Sequence, residues 1–241
     1  MRARLLLVFA LVLGACSFAR PDVLPPPADT GPAPVYVAVG ASETTGTGSD
    51  QPLRDGWPRV LHRVAMPPGS VMINMGVPGT TVAQAIAEQL DATLAARPNL
   101  ITVWLNVNDM TRGVSVAEYE RQLESLLRSL RRSVTTRVLV ANAPPLDQLP
   151  AYQAGRLLGL PGPDVVNQLV ADYNAAVARV VQRTGALLVD LHAAAIAARD
   201  AGTAAGLVSR DGFHPSTPGH AAIAEVFAKV LRDSGPLAVS G

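Results

Sequence analysis

The sequence has a single cysteine, Cys16, and a single lysine, Lys229, in 241 residues. One thiol excludes a disulfide within the chain, and the Cys/His spacings of zinc sites are absent. Aromatic residues make up only 4% against 49% hydrophobic residues in all, so the core must be built from Ala, Val and Leu. The formal net charge is +1. The arginines are scattered along helical patterns and form no basic stripe, which argues against a nucleic-acid partner.

The lone cysteine stands at an informative place. Met1-Arg2-Ala3-Arg4 is a short basic start, Leu5 to Leu13 is apolar, and Leu13-Gly14-Ala15-Cys16 closes the run with small residues. That run is too short to span a bilayer as a mature helix, and it reads as a signal peptide over 1–15. Its last four residues are similar to a bacterial lipobox, so Cys16 is expected to be lipidated and to become the new N-terminus. Several acyl chains on one terminus suffice for stable membrane attachment. The segment 16–34 is Pro-rich and lacks apolar periodicity. It is expected to be an extended tether reaching about 55 Å at ~3.1 Å per residue. The expected location is the cell envelope outside the cytoplasm, on a membrane, or secreted if the lipobox is not used.

A folded domain is expected over 35–233, followed by a tail over 234–241. Continuous apolar runs at Val35–Val39, Val71–Ile73, Leu100–Leu105, Arg137–Val140 and Ala186–Val189 have the character of strands buried on both faces. Between and after them lie helical patterns at Gly56–Met66, Thr81–Ala96, Val116–Arg132, Asp164–Thr184 and Pro218–Arg232. Repeated β-α order predicts an α/β fold, a five-stranded parallel sheet sandwiched between two helical layers. Glu43–Asp55 reads as a polar, Gly-rich loop. Ala143–Pro163 reads as a long loop carrying apolar side chains, either functional or packed with a helical turn near Ala151–Leu158.

In open sheets of this kind functional groups gather at the carboxyl ends of strands. Gly40-Ala41-Ser42-Glu43-Thr44 follows the first strand, Asn74-Met75-Gly76-Val77-Pro78-Gly79-Thr80-Thr81 the second, and Asn106-Val107-Asn108-Asp109 the third. Asp211-Gly212-Phe213-His214-Pro215-Ser216 precedes the last helix, and an Asp three residues before a His can turn its carboxylate onto the imidazole. Alone, Ser42 could be a helix cap, the glycines a plain turn, and Asn108 a loop tie.

Together, in order and spacing, these four blocks resemble those of the SGNH/GDSL hydrolase family, over about Val35 to Leu231. The resemblance implies a flavodoxin-like fold, a Ser42 nucleophile, a His214 general base and an Asp211 that orients it. It also implies an oxyanion hole made of the Ser42 and Gly79 backbone N–H groups and the Asn108 side-chain amide. Such a site needs no metal or cofactor, and it would cleave carboxylic esters through an acyl-enzyme. Two residues depart from the family pattern: Ala41 where Asp is common, and Asn106 where Gly is common.

Glu43 and Asp109 flank these positions and are expected to bond loop backbone. His62 and His220 read as partly exposed helical histidines, and Asp190–His192 as a pair with no nucleophile beside it. The expected protein is a monomeric, membrane-tethered esterase acting on a small-molecule, glycan or lipid ester. The alternatives are an inactive relative that binds an acylated glycan or lipid, and a structural envelope protein.

Overall fold

The computed structural model describes residues 33–132 and 135–237. The expected signal peptide, Cys16 and most of the tether lie outside them, as do the last residues of the tail.

In chain order the elements are β1 (Val35–Gly40), α1 (Ser42–Thr45), α2 (Pro52–Asp55), α3 (Trp57–Ala65), β2 (Val71–Asn74), α4 (Val82–Glu88), α5 (Leu90–Ala95) and β3 (Leu100–Trp104). There follow α6 (Val107–Thr111), α7 (Val116–Leu130), β4 (Arg137–Ala141), α8 (Pro150–Arg156), α9 (Pro163–Thr184), β5 (Leu187–Val189), α10 (Leu191–Asp200) and α11 (Thr217–Asp233). The five strands form one sheet in the order β2-β1-β3-β4-β5. All four pairings are parallel.

Side chains of a strand alternate between the faces of a sheet, and here each face has its own core. Val37, Val39, Ile101, Val103, Val138 and Val140 point to one side, where they meet α4, α7 and α9. Tyr36, Ala38, Leu100, Trp104, Leu139 and Ala141 point to the other, against α3 and α11. Four aromatic residues sit where helices pack against each other. Trp57 of α3 stacks on Phe227 of α11 with centroids 4.3 Å apart, and Tyr119 of α7 meets Tyr173 of α9 at 4.5 Å. This is the expected three-layer architecture.

The helical calculus of the sequence needs three corrections. The pattern Thr81–Ala96 is divided at Gln89, whose φ of −111° departs from helical values. Its buried carboxamide turns to the sheet, accepting from Gly40 N at 3.1 Å and donating to Gly40 O at 3.0 Å. The polar stretch Glu43–Asp55 contains two short helices, α1 and α2, and α1 begins at Ser42 itself. Finally, the expected helical patterns include neither α6, which begins directly after Asn106, nor α10. The latter is an alanine-rich helix capped by Asp190, which accepts from Ala193 N at 2.9 Å. The stretch Ala143–Pro163 does carry the anticipated helical turn, as α8.

The connection after β1 leads to α3 on one face, and that after β3 to α7 on the other. The carboxyl ends of β1 and β3 therefore border the crevice where a parallel sheet binds its ligands. Gly40 makes the turn there possible, because a Cβ at this position would stand 2.0 Å from Thr44 Oγ1 and 3.0 Å from Trp104 O. Thr44 is fully buried and has no room to yield. Gly40→Ala should lower stability by about 1–3 kcal/mol through overpacking. In a domain of this size that is a fall in Tm of about 2–12 °C. An unchanged melting curve would contradict this packing.

Candidate active site

Ser42 is the first residue of α1, directly beyond β1, and is 9% exposed. In the first turn of a helix the backbone N–H groups have no partner within the helix. On the far side of the sequence, the turn before α11 is organised by Asp211. Its Oδ1 accepts from Ser209 Oγ at 2.8 Å, Phe213 N at 2.8 Å and His214 N at 2.9 Å. Its Oδ2 lies 2.7 Å from His214 Nδ1. Partial desolvation opposes ionisation, but the bonds from Phe213, His214 and Ser209 outweigh it and hold the carboxyl well below the usual range. An ionised Asp211 can only accept, so Nδ1 carries the imidazole proton and Nε2 is left as an acceptor. That Nε2 is 3.0 Å from Ser42 Oγ, across 172 residues of sequence.

The turn is held in place from several sides. Ala151 N of α8 donates to Gly212 O at 3.0 Å, and Ser209 N to His214 O at 2.8 Å. Gly48, in the loop after α1, lies so close that a Cβ there would meet His214 Cβ at 2.8 Å and Pro215 O at 2.4 Å. His220, expected to be partly exposed, is instead fully buried. It accepts from Trp57 N through Nδ1 at 3.2 Å and donates to Thr47 O through Nε2 at 3.0 Å. Desolvation lowers its pKa, so it stays neutral and joins α11 to the loop that carries Ser42.

The other two blocks are tied to the Ser42 turn and to each other. Asn74 Nδ2 donates to Thr44 O at 2.6 Å, and Val77 N to Gly40 O at 3.2 Å. Asn108 Nδ2 donates to Thr80 O at 3.1 Å, beside Gly79. An amide has two N–H bonds, and only one is used by this contact. Gly79 O accepts from Arg112 at 2.8 Å, and Arg112 also reaches Gln84 Oε1 at 3.1 Å.

Asp109 is fully buried and takes Val82 N on both oxygens at 3.2 Å, as anticipated for a loop-bonding carboxylate. This fixes the residue next to Asn108 against the first turn of α4. Desolvation raises its pKa from 3.8 to about 6, against the lowering by backbone bonds and Arg112. Glu43, expected only to bond backbone, also meets Ser42: its Oε2 is 3.3 Å from Ser42 Oγ. Burial raises its pKa, although its own backbone N–H, His214 and Ser42 oppose the shift. One hydroxyl proton cannot serve both His214 and Glu43. In its protonated form Glu43 can instead donate to Ser42 Oγ and leave the hydroxyl proton to His214.

A family model described as the GDSL-like Lipase/Acylhydrolase family matches residues 38–222, a span that includes all four blocks. The chain belongs to this family. An acetylxylan esterase from Geobacillus stearothermophilus is 25% identical over 206 residues, 80% of this chain and 88% of that protein. Among solved structures, a lipase/acylhydrolase from Enterococcus faecalis is similar with a TM-score of 0.65 at 17% identity, covering 86% of this chain and all of the other. A catalytic mutant of an acetylxylan esterase from Geobacillus stearothermophilus gives 0.65 at 20% identity, covering 83% and 95%. This GDSL-family protein is a carboxylic ester hydrolase.

The two departures from the family pattern have structural places in this hydrolase. Ala41 is buried in the apolar core. Asn106 is buried, and its Nδ2 donates to Ala141 O at 3.2 Å. The remaining candidates are structural. His62 Nε2 lies 3.1 Å from Ser70 O, and His192 Nδ1 3.2 Å from Ala143 O. Asp190 accepts from Asn142 Nδ2 at 2.8 Å besides capping α10. No cluster that could hold a metal ion occurs among the described residues. The reading of single residues missed Gln89. Its signal was a glutamine at an apolar-stripe position, seven residues after Val82 and four after Ala85.

Asp109 makes stability depend on pH in a definite direction. Its folded pKa lies above the unfolded value, so its stabilising effect is complete below about 4 and is lost as pH rises through about 6. Asp109→Asn cannot ionise. Its unfolding free energy should therefore gain on wild type between about pH 4 and pH 7, by up to about 3 kcal/mol. Paired denaturant titrations check this, and a difference constant across that range would contradict it.

Proposed function

We propose that this hydrolase cleaves its ester through an acyl-enzyme on Ser42. The observation that carries the reading is the line of two bonds, Asp211 Oδ2 to His214 Nδ1 at 2.7 Å and His214 Nε2 to Ser42 Oγ at 3.0 Å. Ser42 Oγ attacks the ester carbonyl carbon as His214 Nε2 takes its proton. The imidazolium that forms is stabilised by ionised Asp211. The tetrahedral oxyanion is received by the backbone N–H groups of Ser42 and Gly79 and the remaining amide N–H of Asn108. When it collapses, the C–O bond to the alcohol breaks and His214 returns the proton to that oxygen. Water then repeats the sequence on the acyl-enzyme, with His214 again as base, and releases the acid and free Ser42. These steps require no cofactor.

The reading extends to the N-terminal segment, for which the support is the sequence of residues 1–34 alone. Cys16 is lipidated, and the Pro-rich stretch holds the domain away from a membrane outside the cytoplasm. The hydrolase works as a monomer on a small-molecule, glycan or lipid ester.

On a p-nitrophenyl ester, Ser42→Ala should lower kcat by about 10⁴-fold or more. Asn108→Ala should cost about 10²-fold in kcat with a smaller change in KM, because its donor acts on charge present only in the transition state. Full activity in Ser42→Ala would contradict the mechanism. For the anchor, cells given a labelled fatty acid should incorporate it into the wild-type chain and not into Cys16→Ser. Equal labelling of the two would contradict lipidation at Cys16.

A further inference from the structure

Beside the Ser42–His214 pair lies a partly open cavity of about 210 Å³. Two of its wall residues touch the pair directly. Glu43 lines it and reaches Ser42 Oγ at 3.3 Å, and Phe213 lines it and packs edge-on against the His214 ring at 4.9 Å between centroids. Val107, next to Asn108, lines it as well. The cavity therefore adjoins the Ser42–His214 pair through the side chains of Glu43 and Phe213.

Its body runs between α10 and α11. On α10 the lining residues are Leu191, Ala194, Ala195 and Ala198, and on α11 they are Gly219, Ala222, Ile223 and Val226. Both sets follow the spacing i, i+3, i+4, i+7 of a single helix face. Facing stripes at this spacing ordinarily interdigitate large side chains at core density. Here five of the eight positions are Ala or Gly, and the facing stripes leave an elongated slot. Each stripe covers about 10 Å of helix axis at ~1.5 Å per residue.

The lining selects the occupant by chemistry. The wall holds no Asn, Gln, Arg, Lys, Asp or hydroxyl side chain, and Glu43 is its only ionisable group. A sugar placed here would give up its bonds to water and find almost none in return. A straight hydrocarbon chain gives up nothing and gains contact along its length. At the ~30 Å³ that a water-sized group fills, the slot holds about seven carbons beyond the carbonyl.

We propose that this cavity binds the acyl chain of the substrate, and that the hydrolase prefers straight medium-chain acyl esters to acetyl esters. The inference rests on Ser42 being the nucleophile, and it names the group that Ser42 carries in the acyl-enzyme. Glu43 stands at the junction between the reacting carbonyl and the chain.

The test uses the full chain and p-nitrophenyl acetate, butyrate, octanoate and palmitate. Each methylene that enters the slot should raise kcat/KM about fourfold. Octanoate should exceed acetate by at least about a hundredfold, and palmitate should bring no further gain. Octanoate turned over no better than acetate would overturn the proposal. Ala222→Phe fills the slot from an exposed position, where folding is not at risk. It should reduce the octanoate-to-acetate ratio of kcat/KM by about tenfold or more. An unchanged ratio would count against the cavity as the chain site. Calorimetry with the Ser42→Ala protein separates this inference from the mechanism beneath it. Octanamide should bind and acetamide should not, and adding Ala222→Phe should abolish the binding. Octanamide binding in a protein whose wild type hydrolyses no ester would uphold the cavity and reject the mechanism. Ester turnover dependent on Ser42 without octanamide binding would do the reverse.

Discussion

The contact between His214 Nε2 and Ser42 Oγ joins residues 172 positions apart, and most of the fold can be understood as holding its 3.0 Å. Neither residue sits within a long regular element. Ser42 opens a four-residue helix after β1, and His214 lies in a turn just before α11. The sheet brings the first to the crevice, and the stack of α3 against α11 brings the second back to it. His220 closes the arrangement from beneath. Being buried, it bonds α3 at Trp57 and the loop after α1 at Thr47 with its two ring nitrogens. A shift of α11 along its axis would disturb both bonds together with the contact between His214 and Ser42. Misplacement by about 1 Å at such a contact is enough to cost turnover heavily.

Three carboxyl groups near this contact show how surroundings assign roles to one functional group. Asp211 accepts four hydrogen bonds and is held ionised. Asp109 is buried, with the backbone N–H groups of Val82 and Asp109 against it, and is pushed up to about 6. Glu43 stands between Ser42 and an apolar cavity, and burial favours its neutral form. Only the first bonds the imidazole of His214. The other two act through geometry, Asp109 by fixing the segment that carries Asn108, and Glu43 by its contact with the serine hydroxyl. Environments that drive like groups apart are a general feature of acid–base sites.

β1, β3 and β4 were legible because both of their faces are buried, which writes an uninterrupted apolar run such as Val35 to Val39 into the chain; β2 is an edge strand whose Val71 is exposed, so its apolar run does not mark burial on both faces. Ser42, Asn108, Asp211 and His214 were each ambiguous alone, and it was the order and spacing of the four blocks, in their likeness to a known family, that singled them out. What escaped reading depends on tertiary partners. The division of Thr81–Ala96 follows from Gln89 bonding Gly40, a residue 49 positions away. The alanine-rich α10 offers little contrast between its faces, so no stripe announces it. His220 looked exposable because its flanking residues, Gly219 and Ala221, say nothing of Trp57 across the interface. The slot between α10 and α11 is made of missing volume, and small residues reveal a cavity only once the facing helix is known.

The central claim is that Ser42 is a nucleophile activated by His214 in the folded protein. A fluorophosphonate reacts covalently with such a serine and leaves an adduct that peptide mass spectrometry can place. One adduct per chain is expected, on Ser42, lost when His214 is replaced by Ala in a protein with an unchanged circular dichroism spectrum. A folded wild-type chain that leaves Ser42 unlabelled, or labelling of Ser42 that persists without His214, would contradict it.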